Sequence, residues 1–152
     1  MAPSPDNGMR SRPYPFIEFC AVDPAAKALR PATPGSAGFD LFALHSVQVP
    51  ARGRRLVGTG ISVAIPHGFC GQIYPRSSLT VRGITTDAGV IEADYRGEVK
   101  VLVVNDREES YDILPGDLIA QLVVLPILTA AIEVESLDKT RRGSVGFRSD
   151  WR

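Results

Sequence analysis

The punctuation of this chain limits its fold more than any other feature. Apolar and β-branched runs are cut by Gly and Pro about every eight to twelve residues, as in PARG (Pro50–Gly53), PHG (Pro66–Gly68) and LPGD (Leu114–Asp117). The runs between are FIEFCAV (Phe16–Val22), SVQVP (Ser46–Pro50), RRLVGTGISVAIP (Arg54–Pro66), GQIYP (Gly71–Pro75), EVKVLVVN (Glu98–Asn105), SYDIL (Ser110–Leu114) and LIAQLVVLPIL (Leu118–Leu128). Several alternate at period two, as Val57, Ile61, Val63 and Ile65 mostly do, which is the mark of a half-buried strand. No segment holds a 3.6-residue period for three turns, and only Ser77–Gly83 suits a short helix. The spacing predicts an all-β sandwich or barrel.

The two ends read differently. Residues 1–15 combine Pro with Ser, Asn, Gly and Arg and lack a hydrophobic period, so they are expected to form a disordered leader that cannot offset its ordering entropy. The tail from Lys139 to Arg152 is rich in Gly, Ser and Arg and is expected to be a mobile arm. That leaves a β-domain over residues 16–138. With 152 residues, there is enough chain for one real core. The 17 basic and 17 acidic side chains cancel, which argues against general attraction to nucleic acid or an anionic membrane while leaving room for a local Arg cluster. No signal segment or bilayer-length apolar run is visible, so an intracellular setting is expected, cytoplasmic or nuclear. Cys20 and Cys70 both sit in apolar runs and are expected to be buried free thiols.

Five segments put polar or Gly-rich residues where a plain β-domain would have ordinary turns. In order they are AGFDLFA (Ala37–Ala43), PRSSL (Pro75–Leu79), GVIEADYRGEVKV (Gly89–Val101), GDLIAQL (Gly116–Leu122) and RGSVGFRSDW (Arg142–Trp151). Arg76 and Ser77 offer a cation and a hydroxyl beside a possible helix start, a natural place for phosphate oxygens. Taken together and in this order, the segments resemble the five motifs of trimeric dUTP diphosphatases, over about Phe16 to Trp151.

The resemblance implies a jelly-roll-like β-barrel and a homotrimer with active sites at subunit interfaces, each closed by a C-terminal arm. It implies Mg²⁺-dependent hydrolysis of dUTP to dUMP and pyrophosphate, which limits uracil in DNA and supplies a thymidylate precursor. Glu92 stands at the general base. Arg76, Ser77, Ser78, Gln121 and Arg142 stand at the phosphates, with Gln121 at the α-phosphate. Gly89, Val90 and Ile91 form the hairpin whose backbone reads uracil, and Tyr95 excludes a 2′-hydroxyl. Phe147 stacks on the base, with Arg148 and Ser149 beside it on the arm. Asp40 orients waters around a magnesium ion held mainly by the phosphates, in keeping with that ion's retained hydration.

Three departures from the family pattern bear on turnover. Glu92 replaces the usual Asp of GVID-x-DYRG, and its extra methylene moves the carboxylate by roughly an ångström. A shift of that size can cost about a hundredfold in rate. On the arm, Val145 and Arg148 replace glycines, and Asp150 replaces a hydroxyl expected near the γ-phosphate. Leu118 replaces the Arg of GDRIAQL and removes a positive charge. These departures, with the RPYPF stretch of the leader, leave open a derived nucleotide- or protein-binding module with a partner for the leader. A dCTP deaminase is a further alternative, disfavoured because VLVVN carries no Glu before its Asn.

Overall fold

The computed structural model describes residues 15–146. β-Branched, Gly-punctuated segments form ten strands: β1 (Glu18–Ala21), β2 (Gly38–Phe42), β3 (Val47–Val49), β4 (Arg54–Ala64), β5 (Phe69–Pro75), β6 (Ile84–Asp87), β7 (Val90–Ile91), β8 (Glu98–Asn105), β9 (Tyr111–Ile113) and β10 (Leu118–Pro126). The single helix among the described residues, α1 (Ser77–Thr80), is one turn long and stops short of the expected Gly83. No helix among the described residues is long and apolar enough to cross a membrane.

Hydrogen bonding divides the strands into two four-stranded sheets, ordered β1-β4-β8-β6 and β2-β10-β5-β7, and a two-stranded sheet of β3 and β9. Every pairing is antiparallel. The all-β expectation is met. The inward rows of both larger sheets meet in one apolar core, with Val57, Ile61, Val99, Val101 and Val103 from one and Leu41, Ile73, Ala120 and Leu122 from the other. In β8 the alternation is clean, Val99, Val101, Val103 and Asn105 facing in.

The longest strand carries the main irregularity. Gly58 pairs with Lys100 and Ser62 with Glu98, so three residues of β4 oppose one of β8. Two extra residues preserve the period-two parity, which is why Val57, Thr59, Ile61 and Val63 all remain buried across the bulge. The Thr59 hydroxyl donates to the Val99 carbonyl at 2.6 Å and satisfies the bulge from the core side.

Asn105, fully buried, closes the far end of β8. Its Nδ2 donates to the carbonyls of Val49, Pro50 and Glu109, and its Oδ1 accepts from the Arg107 amide at 3.0 Å. One side chain thereby satisfies loop groups from three places.

β2 and β6 went unrecognised as strands in the sequence. β2 lies within the AGFDLFA motif, and β6 (ITTD) is too short and polar to announce itself. The apolar run to Leu128 overstates β10, which ends at Pro126, and residues 127–146 form no strand or helix. The buried-thiol expectation fails for Cys20, which is exposed because all four residues of the edge strand β1 are; Cys70 is half-buried, and both are free thiols. The residues expected to form the leader lie outside the described residues, Pro15 excepted.

Asn105→Ala is expected to destabilise the fold by about 1–3 kcal/mol, because it strands buried backbone groups. Urea unfolding followed by circular dichroism checks it, with Asn105→Asp losing the three donated bonds but keeping the acceptor.

Candidate active site

Two groups of functional side chains assemble on the chain, in different places. The first lies where β2, β10 and the end of β5 converge. Gln121 of β10 is the register partner of Asp40 on β2 and of Tyr74 on β5. Arg76 follows β5 directly and reaches back to Asp40, its Nη1 lying 3.0 Å from Oδ1. The Asp40 side chain is only 14% exposed and that of Arg76 31%, so this ion pair is better shielded than the other pairs on the surface. Gln121 is half-buried. Its Nε2 donates to the Pro75 carbonyl at 3.4 Å, and its Oε1 rests against Gly38, where any Cβ would lie 2.7 Å away. Ser77 and Ser78 open α1 and are exposed.

Asp40 and Arg76 were expected to act separately. The structure instead joins them, so the carboxylate orients the guanidinium through Nη1 and leaves the other N–H groups of the fork outside this bond. Opposite charges 36 residues apart give no local pattern by which sequence alone could pair them. α1 is a single turn, too short to present a helix dipole, so the groups this corner offers an anion are the Arg76 cation and the Ser hydroxyls.

The second group surrounds a cavity of about 240 Å³ walled by Ile73, Gly89 to Glu92, Tyr95 and Glu98 to Lys100. Its hairpin depends on left-handed backbone. Ala88 (φ 56°) and Gly89 (φ 111°) turn the chain from β6 in one sheet to β7 in the other. The Gly89 carbonyl accepts from the Ile73 amide at 2.8 Å, and a Cβ on Gly89 would meet that of Ile73 at 2.8 Å. Only glycine fits there, which leaves bare backbone facing the cavity.

Glu92 ends the hairpin. Its carbonyl accepts the Tyr95 amide at 3.1 Å, closing a turn through Ala93 and Asp94. The turn separates the two acids: Glu92 walls the cavity and Asp94 does not. The Tyr95 ring folds over Gly97, where a Cβ would collide with the ring, and its hydroxyl donates to the Glu98 carbonyl at 2.9 Å. Ile91 is buried in the core, whereas the Val90 side chain is exposed.

The cavity walls include none of Asp40, Arg76, Ser77 or Gln121. Arg142 lies in an exposed turn near the end of the described chain. Phe147, Arg148 and Ser149 lie outside the described residues. Among those described, no group of three or more His, Cys, Asp or Glu side chains can hold a metal ion. Ile73, Glu98, Val99 and Lys100 belong to the cavity but were not expected there. Position directly after DYRG was the one available signal for Glu98.

The order and content of these groups coincide with a family pattern. A family model described as dUTPase matches residues 25–151. The chain belongs to the dUTPase family. Curated relatives bear the name deoxyuridine 5′-triphosphate nucleotidohydrolase. That of Debaryomyces hansenii is 52% identical over 118 residues, spanning 75% of this chain and 74% of the relative. That of Arabidopsis thaliana is 41% identical over 141 residues, spanning 91% and 85%. Among solved structures, a Staphylococcus bacteriophage 80alpha dUTPase with dUPNHPP superposes with a TM-score of 0.81 at 25% identity, covering 87% of this chain and 96% of that one. The dUTPase motif order therefore corresponds here to two separated clusters, one around Asp40, Arg76 and Gln121 and one around Glu92 and Tyr95.

A double-mutant cycle of Asp40→Ala and Arg76→Ala is expected to give a coupling of about 1 kcal/mol in unfolding free energy, since the pair is partly shielded. Additive effects would mean that the pair forms no interaction in solution.

Proposed function

We propose that this chain hydrolyses dUTP to dUMP and pyrophosphate at sites shared between copies in a homotrimer, with Glu92 as general base. The observation that carries this reading is the family match across residues 25–151, together with relatives of that activity at 41–52% identity. Forming dUMP and pyrophosphate breaks the bond between the α-phosphorus and the bridging oxygen to the β-phosphate. Water supplies the new oxygen on dUMP, and its proton must be taken up as the bond forms.

Of the two glutamates lining the cavity, Glu98 has its carboxylate engaged by the Gly60 amide, and Glu92 is the one assigned to take that proton. Tyr95 lies along the same wall, where the ring would pack under a deoxyribose and leave no space for a 2′-hydroxyl. The hairpin backbone over Gly89–Ile91, bare of a side chain at Gly89, is the part that would hydrogen-bond uracil, and a site that pairs its groups with uracil strands them against cytosine. Arg76, held by Asp40, with Ser77, Ser78 and Gln121, neutralises and positions the phosphates, which is the main demand of phosphoryl transfer. Arg142, Phe147, Arg148 and Ser149 extend that role onto the arm, with Phe147 stacking on the base for a few kcal/mol at most.

The donor set suits magnesium that arrives with the triphosphate. Asp40 is the one carboxylate of its cluster, and its position beside Arg76 fits a contact through water rather than direct ligation. Bound there, the ion would add charge neutralisation at the phosphates.

The separation of the two clusters favours the shared site. The cavity is smaller than the roughly 300–1,000 Å³ of complete ligand sites, and the phosphate-binding side chains are absent from its walls. A site combining both takes the cavity of one copy and the Arg76 cluster of another, closed by an arm. This accommodates Glu92 as well, since its reach is set against groups on a neighbouring copy rather than within a rigid single-chain pocket. A protein partner for the leader would be an addition to this activity, not a replacement for it.

Glu92→Gln is expected to lower kcat for dUTP by at least about a hundredfold. Refolding Glu92→Gln together with Arg76→Ala in equal amounts should restore about a quarter of the wild-type rate, because one site in four then draws both intact halves from different copies. Pyrophosphate release measures both. Persistent turnover by Glu92→Gln alone would refute the base, and failed complementation would refute the shared site.

A further inference from the structure

Glu98 ties the irregular stretch of β4 to the tyrosine of the nucleoside cavity. Its carboxylate Oε1 accepts the Gly60 amide at 2.9 Å. Gly60 sits at φ 73°, in the middle of the three β4 residues that oppose the single residue Val99. Its amide would otherwise face no ladder partner, and an unmet amide at a buried glycine is costly. Gly58, one rung away, makes room for the carboxylate: a Cβ there would lie 2.6 Å from Oε1. The bulge is therefore held from both sides, by Thr59 from the core and by Glu98 from outside.

The main chain of the same residue faces the cavity. The Glu98 carbonyl accepts the Tyr95 hydroxyl at 2.9 Å, and Glu98 itself lines the cavity that Glu92 and Tyr95 wall. Side chain and carbonyl belong to one residue at the first position of β8, so fixing the carboxylate on Gly60 fixes the height of the carbonyl from which Tyr95 hangs. The Lys100 ammonium, 4.0 Å from Oε2, is exposed and adds little to that anchoring.

We infer that Glu98 is a positioning residue for sugar selection: by clamping the β4 bulge it holds the Tyr95 ring at the level that admits deoxyribose and excludes ribose. The inference rests on the reading of Tyr95 as the floor of the nucleoside site. Loss of the clamp lets the carbonyl and the ring settle away from the sugar, which weakens dUTP binding and relaxes rejection of UTP while leaving Glu92 and the phosphate cluster in place.

The test compares Glu98→Ala, Glu98→Gln and Tyr95→Phe in the full-length chain, with steady-state hydrolysis of dUTP and UTP. Glu98→Ala is expected to raise KM for dUTP about tenfold and to lower the dUTP-over-UTP preference by a similar factor, with kcat within about twofold. Glu98→Gln keeps an acceptor for Gly60 and should restore both. The Gly60 amide resonance should move in Glu98→Ala and return in Glu98→Gln. If Glu98→Ala does not fold, Glu98→Asp carries the test, since the shorter carboxylate falls short of Gly60 and should show the same rise in KM. A folded Glu98→Ala or Glu98→Asp with wild-type KM and preference overturns the inference. Should Tyr95→Phe lower the preference while the Glu98 variants do not, Glu98 alone is misassigned. If Tyr95→Phe also leaves the preference unchanged, the hydroxyl does not hold the ring in place and the inference falls, whereas Tyr95→Ala with an unchanged preference would overturn the reading of Tyr95 itself.

Discussion

The antiparallel pairing of β4 with β8 is the interaction on which the rest of this molecule depends. It supplies Val57, Ile61, Val63, Val99, Val101 and Val103, the central rows of the core. It also carries the one large irregularity. Inserting two extra residues instead of one leaves every inward side chain of β4 facing inward, so the bulge adds twist and a glycine amide without disturbing the core. Thr59 and Glu98 satisfy the polar groups it exposes. Asn105 does the same for the loops at the strand's other end.

The functional groups are arranged around this pairing by the edges of the sheets. β6 flanks β8, and the left-handed Ala88–Gly89 corner then carries the chain across to β7 beside β5. That crossing places the Gly89 backbone against Ile73 and brings Glu92 round to the mouth of the cavity. On the other sheet, β10 lies between β2 and β5, so Gln121 has Asp40 on one side and the approach to Arg76 on the other. The two clusters are thus built on rigid strands, yet on different parts of the chain. A reaction that needs both is the physical reason to expect oligomerisation to be part of the active site rather than an accessory to it.

The three departures from the family pattern acquire different weights in the structure. Leu118 pairs with Phe42, and the Lys27 ammonium stands 4.5 Å from the centre of the Phe42 ring and 3.1 Å from the Gly116 carbonyl, so the neighbourhood of the missing Arg still holds a cation. Glu92 is exposed at the end of a two-residue strand, where the turn to Tyr95, not a packed core, sets its reach. The altered arm residues Arg148 and Asp150 lie outside the described residues.

Much of the architecture was legible in the sequence. Gly and Pro spacing predicts all-β structure, and the apolar runs coincide with seven of the strands because side-chain alternation and turn chemistry are local properties. The motif order likewise announces the dUTPase family, since short polar insertions in fixed order survive as text. Sequence alone could not place Cys20 at an exposed edge, recognise ITTD as a strand, or foresee the Asp40–Arg76 pair and the Glu98–Gly60 clamp. Each of these depends on which strands become neighbours, and that choice is made by packing two sheets over one core, not by any stretch of residues considered alone.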